Sequence, residues 1–367
     1  MMKRIVILAL TPAVLWTGAI PAQEAGSPND QARFLAGLSV AAGPLAGLDD
    51  AEHRSGMEQA WSDVESRQLA EIRMWAPLQL GTVYTSTDPL FYFYSGPDFL
   101  YANAFFPSAS TYVLCGKEPV GDLPDVTTLS GGRRVSALRG LRNALESSLK
   151  FSFFITADMK NDLSNTALSG TLPVLYVYLA RMGCWLSSVE LGGLNADGVW
   201  VQEDPKTKGA KLIFEGALGS PQTLYYFTTD LSNWGIADRP EFMTFCARLG
   251  LGNGLVKSAS YLMHLSEFSK SRDFLLEHVN TLVQDDSGIP YQYFKWEDWV
   301  VGCYGSYVGP ISLFKEKYQQ DLAAAFDSQA AMPLPFGIGY RWRKNESCLM
   351  VATSLRSVPK AIPVSSR

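Results

Sequence analysis

YFYSGPDFLYANAFFPSASTYVLCGKEPVG, residues 92–121, runs from an aromatic strand-forming segment through a glycine turn and a short helix into a second strand that ends in an acid. Pro97 suits the first turn of a helix, where its missing N–H is not needed, and Pro107 cannot continue one. The spacing therefore predicts a strand–helix–strand crossover, the unit from which parallel sheets are built.

Outward from this stretch, short apolar runs rich in aromatic and β-branched residues recur from about Gly81: PLFYFYSG, STYVLCGKE, KFSFFITAD, VELGGL, GVWVQE, AKLIFEG and QTLYYFTTD. Between some of them GGRRVSALRGLRNALESSLK has a helical apolar period, and SGTLPVLYVYLARMGC is a second helix candidate. Strands alternating with helices define an α/β chain with a Rossmann-like, mixed and mainly parallel sheet flanked by helices. VELGGLNADGVWVQEDPKTKGAKLIFEG instead reads as consecutive strands with polar turns, an antiparallel part of the same sheet.

Residues 1–22 read as a signal peptide: two basic residues, an apolar run from Ile5 to Ile20 and small residues at Ala22 and Ala25. That run contains Pro12 and is shorter than a spanning helix requires, so export without stable membrane insertion is expected, to the periplasm or the exterior. Residues 23–80 read as an N-terminal helical segment on the spacing of Phe34, Leu38, Met57, Trp61 and Trp75. Residues 81–354 follow as a single α/β domain, and 355–367 as a flexible tail.

Toward the C-terminus, PEFMTFCARLG, GLVKSASYLMHLSEFSKSRDFLLEHVNTLVQDD (broken near Ser269) and PISLFKEKYQQDLAAAFDSQ read as helices. KWEDWVVGCYGSYVGP reads as a helix with an aromatic face or as a stacking platform for a ring. FGIGYRWRKNESCLMVATS reads as a β-hairpin around RKNE.

The net charge of −5, from 31 basic and 36 acidic residues spread along the chain, leaves no basic footprint for nucleic acid. Five widely separated cysteines without a Cys-x-x-Cys pair read as buried thiols rather than a zinc site, and His264 and His278 read as structural. The sequence lacks a Gly-x-Ser-x-Gly elbow, a phosphate loop and a His-Glu-x-x-His helix.

The candidate site follows from position. In open α/β sheets ligands bind beyond the carboxyl ends of the strands, and the apolar runs here end repeatedly in acids: Asp98, Glu118, Asp158 and Asp230, with Asp285 and Asp286 in QDDSGIPY as secondary candidates. Such carboxylates can hold a cation, accept sugar hydroxyls or act as raised-pKa acids; equally, each can cap a helix or turn. Glu118, followed by Pro119, is the poorest cap.

Residues 92–121 also resemble the first crossover of class I S-adenosylmethionine-dependent methyltransferases. That resemblance implies that Ser95, Gly96 and Asp98 line the cofactor turn and that Glu118 holds the ribose hydroxyls. SGPDFLYANAFFP, KSASYLMH, QDDSGIPY, YQQDL and LPFGIGYRW together are similar to a family of uncharacterised exported bacterial proteins, in which the second strand ends GLEPVG, so Lys117 is a departure. This second resemblance implies a fold and a cellular address and no activity. The expected function is binding of a small polar ligand or cation at an acidic sheet edge; the alternative is a Rossmann-like enzyme, either methyltransferase-like or a metal-dependent hydrolase.

Overall fold

A computed structural model of the chain describes residues 26–48, 50–153, 167–216, 219–328 and 331–357. The proposed signal peptide, Asp158 and the chain end from residue 358 lie outside the described residues.

The strands are β1 (Leu90–Tyr92), β2 (Thr111–Gly116), β3 (Trp185–Leu194), β4 (Trp200–Val201), β5 (Thr207–Glu215), β6 (Pro221–Thr228), β7 (Gly252–Val256), β8 (Val279–Gln284), β9 (Trp299–Gly305) and β10 (Cys348–Ser354). They form a mixed ten-stranded sheet in the order β4-β3-β5-β6-β2-β1-β7-β8-β10-β9. Parallel pairing is confined to the five central strands, β6-β2-β1-β7-β8. Antiparallel strands extend the sheet on both sides.

From β1 at the centre, the chain first builds outward through β2 to β6 and then returns to the other side of β1 for β7 and β8. The loops leaving β1 and β7 therefore diverge, and a crevice opens between them at the carboxyl ends.

Both faces of the centre are covered. Leu90, Tyr92, Tyr112 and Leu114 pack with the N-terminal helices Pro28–Leu35, Ala51–Val64 and Ala70–Leu80, the crossover helix Phe99–Phe105, and Gly131–Phe151 and Leu172–Arg181. Phe91, Phe93, Val113 and Cys115 face the other way, against Glu241–Arg248 and Ser269–His278. Burial on both faces explains why the β1 run is continuously apolar rather than alternating.

The crossover helix begins where Asp98 accepts a hydrogen bond from the Tyr101 amide and ends just before Pro107. All five cysteines are buried and unpaired.

Four sequence expectations are corrected. GLVKSASYLMHLSEFSKSRDFLLEHVNTLVQDD holds the end of β7 and all of β8 on either side of the Ser269–His278 helix; short, buried strands carry no period that separates them from buried helix. KWEDWVVGCYGSYVGP forms β9, an edge strand, where Val300 and Val301 suit a pleated surface.

FGIGYRWRKNESCLMVATS is not a hairpin. Only its second half is a strand, β10, whose hydrogen-bonding capacity is filled by β9 on one side and β8 on the other, leaving no place for a second arm. KFSFFITAD does not start as a strand, because the Gly131–Phe151 helix runs through Lys150 and Phe151 to a left-handed cap at Ser152; the rest of that run is largely outside the described residues.

Of the expected tail, only the first three residues are described. Leu355–Ser357 form a 3-10 turn, and Arg356 donates to the carbonyls of Leu276 and Glu277.

Candidate functional site

The crevice beside β1 holds a cavity of about 240 Å³, walled by the loops after β1, β2, β6 and β7 and closed by Phe153 and Tyr340. Of the residues expected at this edge, Ser95, Gly96, Asp98 and Glu118 line it together. Asp230 does not. Its neighbours Thr229 and Leu231 reach the cavity, whereas Asp230 turns aside to an ion pair with Lys117 at 3.0 Å and accepts from the Ser232 amide at 2.9 Å. Partial burial works against its charge, but these hydrogen bonds outweigh it and hold the Asp230 carboxyl below its ordinary pKa.

Asp98 is fully engaged. Besides its cap to Tyr101, its Oδ2 accepts from the Tyr92 hydroxyl at 2.8 Å and lies 2.7 Å from Lys257 Nζ, with both charged side chains only 2% exposed. Burial, and then the Asp98 charge, push the Tyr92 phenol far up, so it stays protonated as a donor. Lys257 also donates to the Ser152 carbonyl, and its ammonium stands 4.3 Å from the centre of the Tyr101 ring. A lone buried ammonium would be expelled or neutralised; here a carboxylate, a carbonyl and a ring face hold it.

Glu118 is placed differently. Its carbonyl accepts from the Tyr226 and Thr228 hydroxyls, at 3.0 and 2.8 Å, which fixes the backbone after β2. Its carboxylate, on a residue 5% exposed, has one hydrogen bond among the described residues, a long one of 3.4 Å from the Tyr226 hydroxyl. Gly116 makes room for it, since a Cβ there would lie 2.1 Å from Glu118 Oε2. Among the described residues, the carboxylate thus borders the cavity with most of its acceptor capacity unused.

Ser95 ties the ends of β1 and β2 together, its hydroxyl accepting from the Cys115 amide at 3.3 Å and lying 2.8 Å from the Gly96 carbonyl. Gly96, at φ +56°, turns the chain where a side chain would be strained. Several amides at the start of the crossover helix are not available to a ligand's phosphate: Pro97 has none, the Phe99 amide donates to the Pro97 carbonyl, and the Asp98 carboxylate covers the Tyr101 amide.

Across the cavity, the loop after β7 carries three left-handed non-glycine residues, Ser258, Ser260 and Tyr261. Its shape is held from behind. Asp285 accepts from the Ser258 amide at 2.9 Å, Ser287 from the Ala259 amide at 2.8 Å, and the Tyr340 hydroxyl donates to the Ser258 carbonyl at 2.9 Å. Asp286 accepts from the Tyr261 hydroxyl at 2.6 Å. Asp285 and Asp286 are therefore supports of the loop and do not line the cavity. The Ser258 hydroxyl, on the cavity wall, is buried without a hydrogen-bond partner among the described residues.

Lys257, Ser258, Tyr92 and Tyr340 were not reached by following acids at strand ends. The usable signal was KSASY, a small polar cluster directly after the apolar GLV run. With β7 read as helix, that position pointed nowhere.

Among the described residues, His, Cys, Asp and Glu side chains form no group of three or more that could hold a metal ion, and no helix is long and apolar enough to cross a membrane. No family model matches the chain, and no curated protein or solved structure matches it either.

Proposed function

We propose that this is an exported binding protein for a small, hydroxyl-bearing ligand, seated in the crevice beside β1 with Glu118 accepting its hydroxyls. The observation that carries the reading is the Glu118 carboxylate, buried at the cavity with a single long hydrogen bond among the described residues. A carboxylate accepts two adjacent hydroxyls well, and leaving one underused inside a protein is costly unless a ligand completes it.

The order of the five parallel strands supports a Rossmann-like description, with the cavity at its switch point. The size favours a compound no larger than a nucleoside, since about 240 Å³ falls below the roughly 300–1,000 Å³ of drug-sized pockets. The covered turn after β1 disfavours a dinucleotide, whose pyrophosphate needs free amides there. A cation is less well served: Asp98 is matched by Lys257 and Asp230 by Lys117, so the repulsion that would recruit a divalent ion is already relieved.

A second reading, an S-adenosylmethionine-dependent transferase, is favoured by one specific feature. That cofactor carries ribose hydroxyls for Glu118 and no phosphate for the covered turn. The export part of the proposal rests on the first residues alone.

A thermal-shift screen of wild type against ribose, hexoses, adenosine, S-adenosylmethionine and divalent cations tests these readings. Stabilisation by a hydroxylated compound supports the proposal, and selective stabilisation by S-adenosylmethionine moves it to the transferase. A response to cations alone overturns it.

A further inference from the structure

A second groove, of about 850 Å³, lies beside the cavity on the antiparallel side of the sheet, and Lys117 and Thr229 border both. Its wall brings together four cations from three separate places: Lys117 after β2, Lys206 and Lys208 around the start of β5, and Arg239 beyond the Asn233–Asp238 helix. Against them stand two carboxylates, Asp122 and Asp230, and Asp230 is already paired with Lys117. The chain as a whole is acidic, at −5, so this local excess of positive charge runs against its average.

Two of the four cations are already in ion pairs, Lys117 with Asp230 and Arg239 with Asp238, and among the described residues the other two are not. Lys206 and Lys208 are exposed and make no ion pair among the described residues. Arg239 donates through Nη1 to the Lys206 carbonyl and through Nε to Asp238, which holds the guanidinium and leaves Nη2 without a partner among the described residues. A held guanidinium flanked by free ammonium groups is a recognition pattern for phosphate oxygens, which accept forked hydrogen bonds from arginine and point-charge contacts from lysine.

We propose that this groove binds a small phosphate-bearing polyanion along Lys206, Lys208 and Arg239. The site is independent of the hydroxyl-binding cavity, and its volume lies in the range of drug-sized ligands rather than of a single phosphate ion.

The test is calorimetric titration of the full chain with inorganic tripolyphosphate at low and at physiological salt. Wild type should bind, with affinity at least tenfold weaker at the higher salt, as expected of exposed charges. The double variant Lys206→Ala/Lys208→Ala, at two exposed positions, should lose at least tenfold in affinity. Lys206→Arg/Lys208→Arg should retain binding. A control with the same charge change, Lys315→Ala/Lys344→Ala, removes two exposed lysines that do not line the groove and should bind as wild type. Failure of wild type to bind tripolyphosphate at low salt overturns the proposal. So does equal weakening by the control pair, which would mean a diffuse response to net charge. Neither result bears on Glu118 and the cavity.

Discussion

Lys257 Nζ lies 2.7 Å from Asp98 Oδ2, and the pair joins the end of β7 to the start of the crossover helix after β1, across the point where the sheet reverses its direction of growth. Both side chains are almost fully buried, so each charge depends on the other. Lys257→Met or Asp98→Asn alone should destabilise the protein by about 3–5 kcal/mol, the usual cost of stranding one member of a buried pair. The double variant should recover part of that loss. Denaturant unfolding of the four proteins measures it, and additive losses would mean that the pair is not coupled.

Gly116 is expected to matter for the site more than for the fold. Gly116→Ala would place a Cβ 2.1 Å from Glu118 Oε2, and the carboxylate, at the end of a flexible side chain, must give way. Stability should fall by only about 1 kcal/mol, while affinity for a hydroxylated ligand falls as far as it does in Glu118→Gln. Unchanged affinity would show that Glu118 has room to spare and that the glycine serves another purpose.

Ser258 is held at φ +51° with its hydroxyl unpartnered among the described residues. Ser258→Gly removes both the left-handed strain, worth roughly 1–2 kcal/mol for a residue with a side chain, and the buried hydroxyl. Thermal melting should shift upward by a few degrees, corresponding to about 1 kcal/mol. A downward shift would mean that the hydroxyl is satisfied in solution.

Two groups around the same loop, Asp286 buried behind it and His264 half-buried within it, should pull stability in opposite directions with pH. Burial, and then the neighbouring Asp285 charge, raise Asp286 to about 7. Between about pH 4, where an unfolded aspartate ionises, and about pH 7, the folded protein keeps a proton that the unfolded chain has lost, so this group's stabilisation is lost as pH rises. Burial, and then Lys317, lower His264 to about 4. From there to about pH 6.5 the unfolded chain holds the extra proton, so stability rises with pH. Relative to wild type, Asp286→Asn should show a more positive slope of unfolding free energy with pH between about 4 and 7, and His264→Phe a more negative slope between about 4 and 6.5. Curves parallel to wild type would contradict both assignments.

How far the sequence carried can be judged residue by residue. The crossover of residues 92–121 was legible because Pro97 and Pro107 bracket its helix, although Pro97 lies ahead of the first turn instead of in it: Asp98 is the cap and the helix runs Phe99–Phe105. Asp98 and Glu118 were found as acids at strand ends, but their roles were not separable from the sequence. Asp98 became a cap and a counter-ion because Lys257 meets it from 159 positions along the chain, a contact that only the β1–β7 pairing creates. Glu118 kept its acceptors because Gly116 and the Tyr226 hydroxyl position it without consuming it. The misreading of β7 and β8 had one cause: strands of five and six residues, mixing Leu and Val with Gly, Asn, Thr and Gln and almost wholly buried, show neither a two-residue nor a 3.6-residue apolar period. The C-terminal hairpin failed for a related reason, since strand propensity in LPFGIGYRW does not reveal that β8 and β9 already flank β10.

The most direct test of the account is calorimetric titration of adenosine into wild type and Glu118→Gln at neutral pH, with both proteins shown to unfold at similar denaturant concentration. The account predicts saturable one-to-one binding to wild type, and at least a tenfold loss in Glu118→Gln, equivalent to about 1.4 kcal/mol. Equal binding by the two proteins, or no binding to wild type of adenosine or of any other hydroxylated compound in the screen, would contradict it.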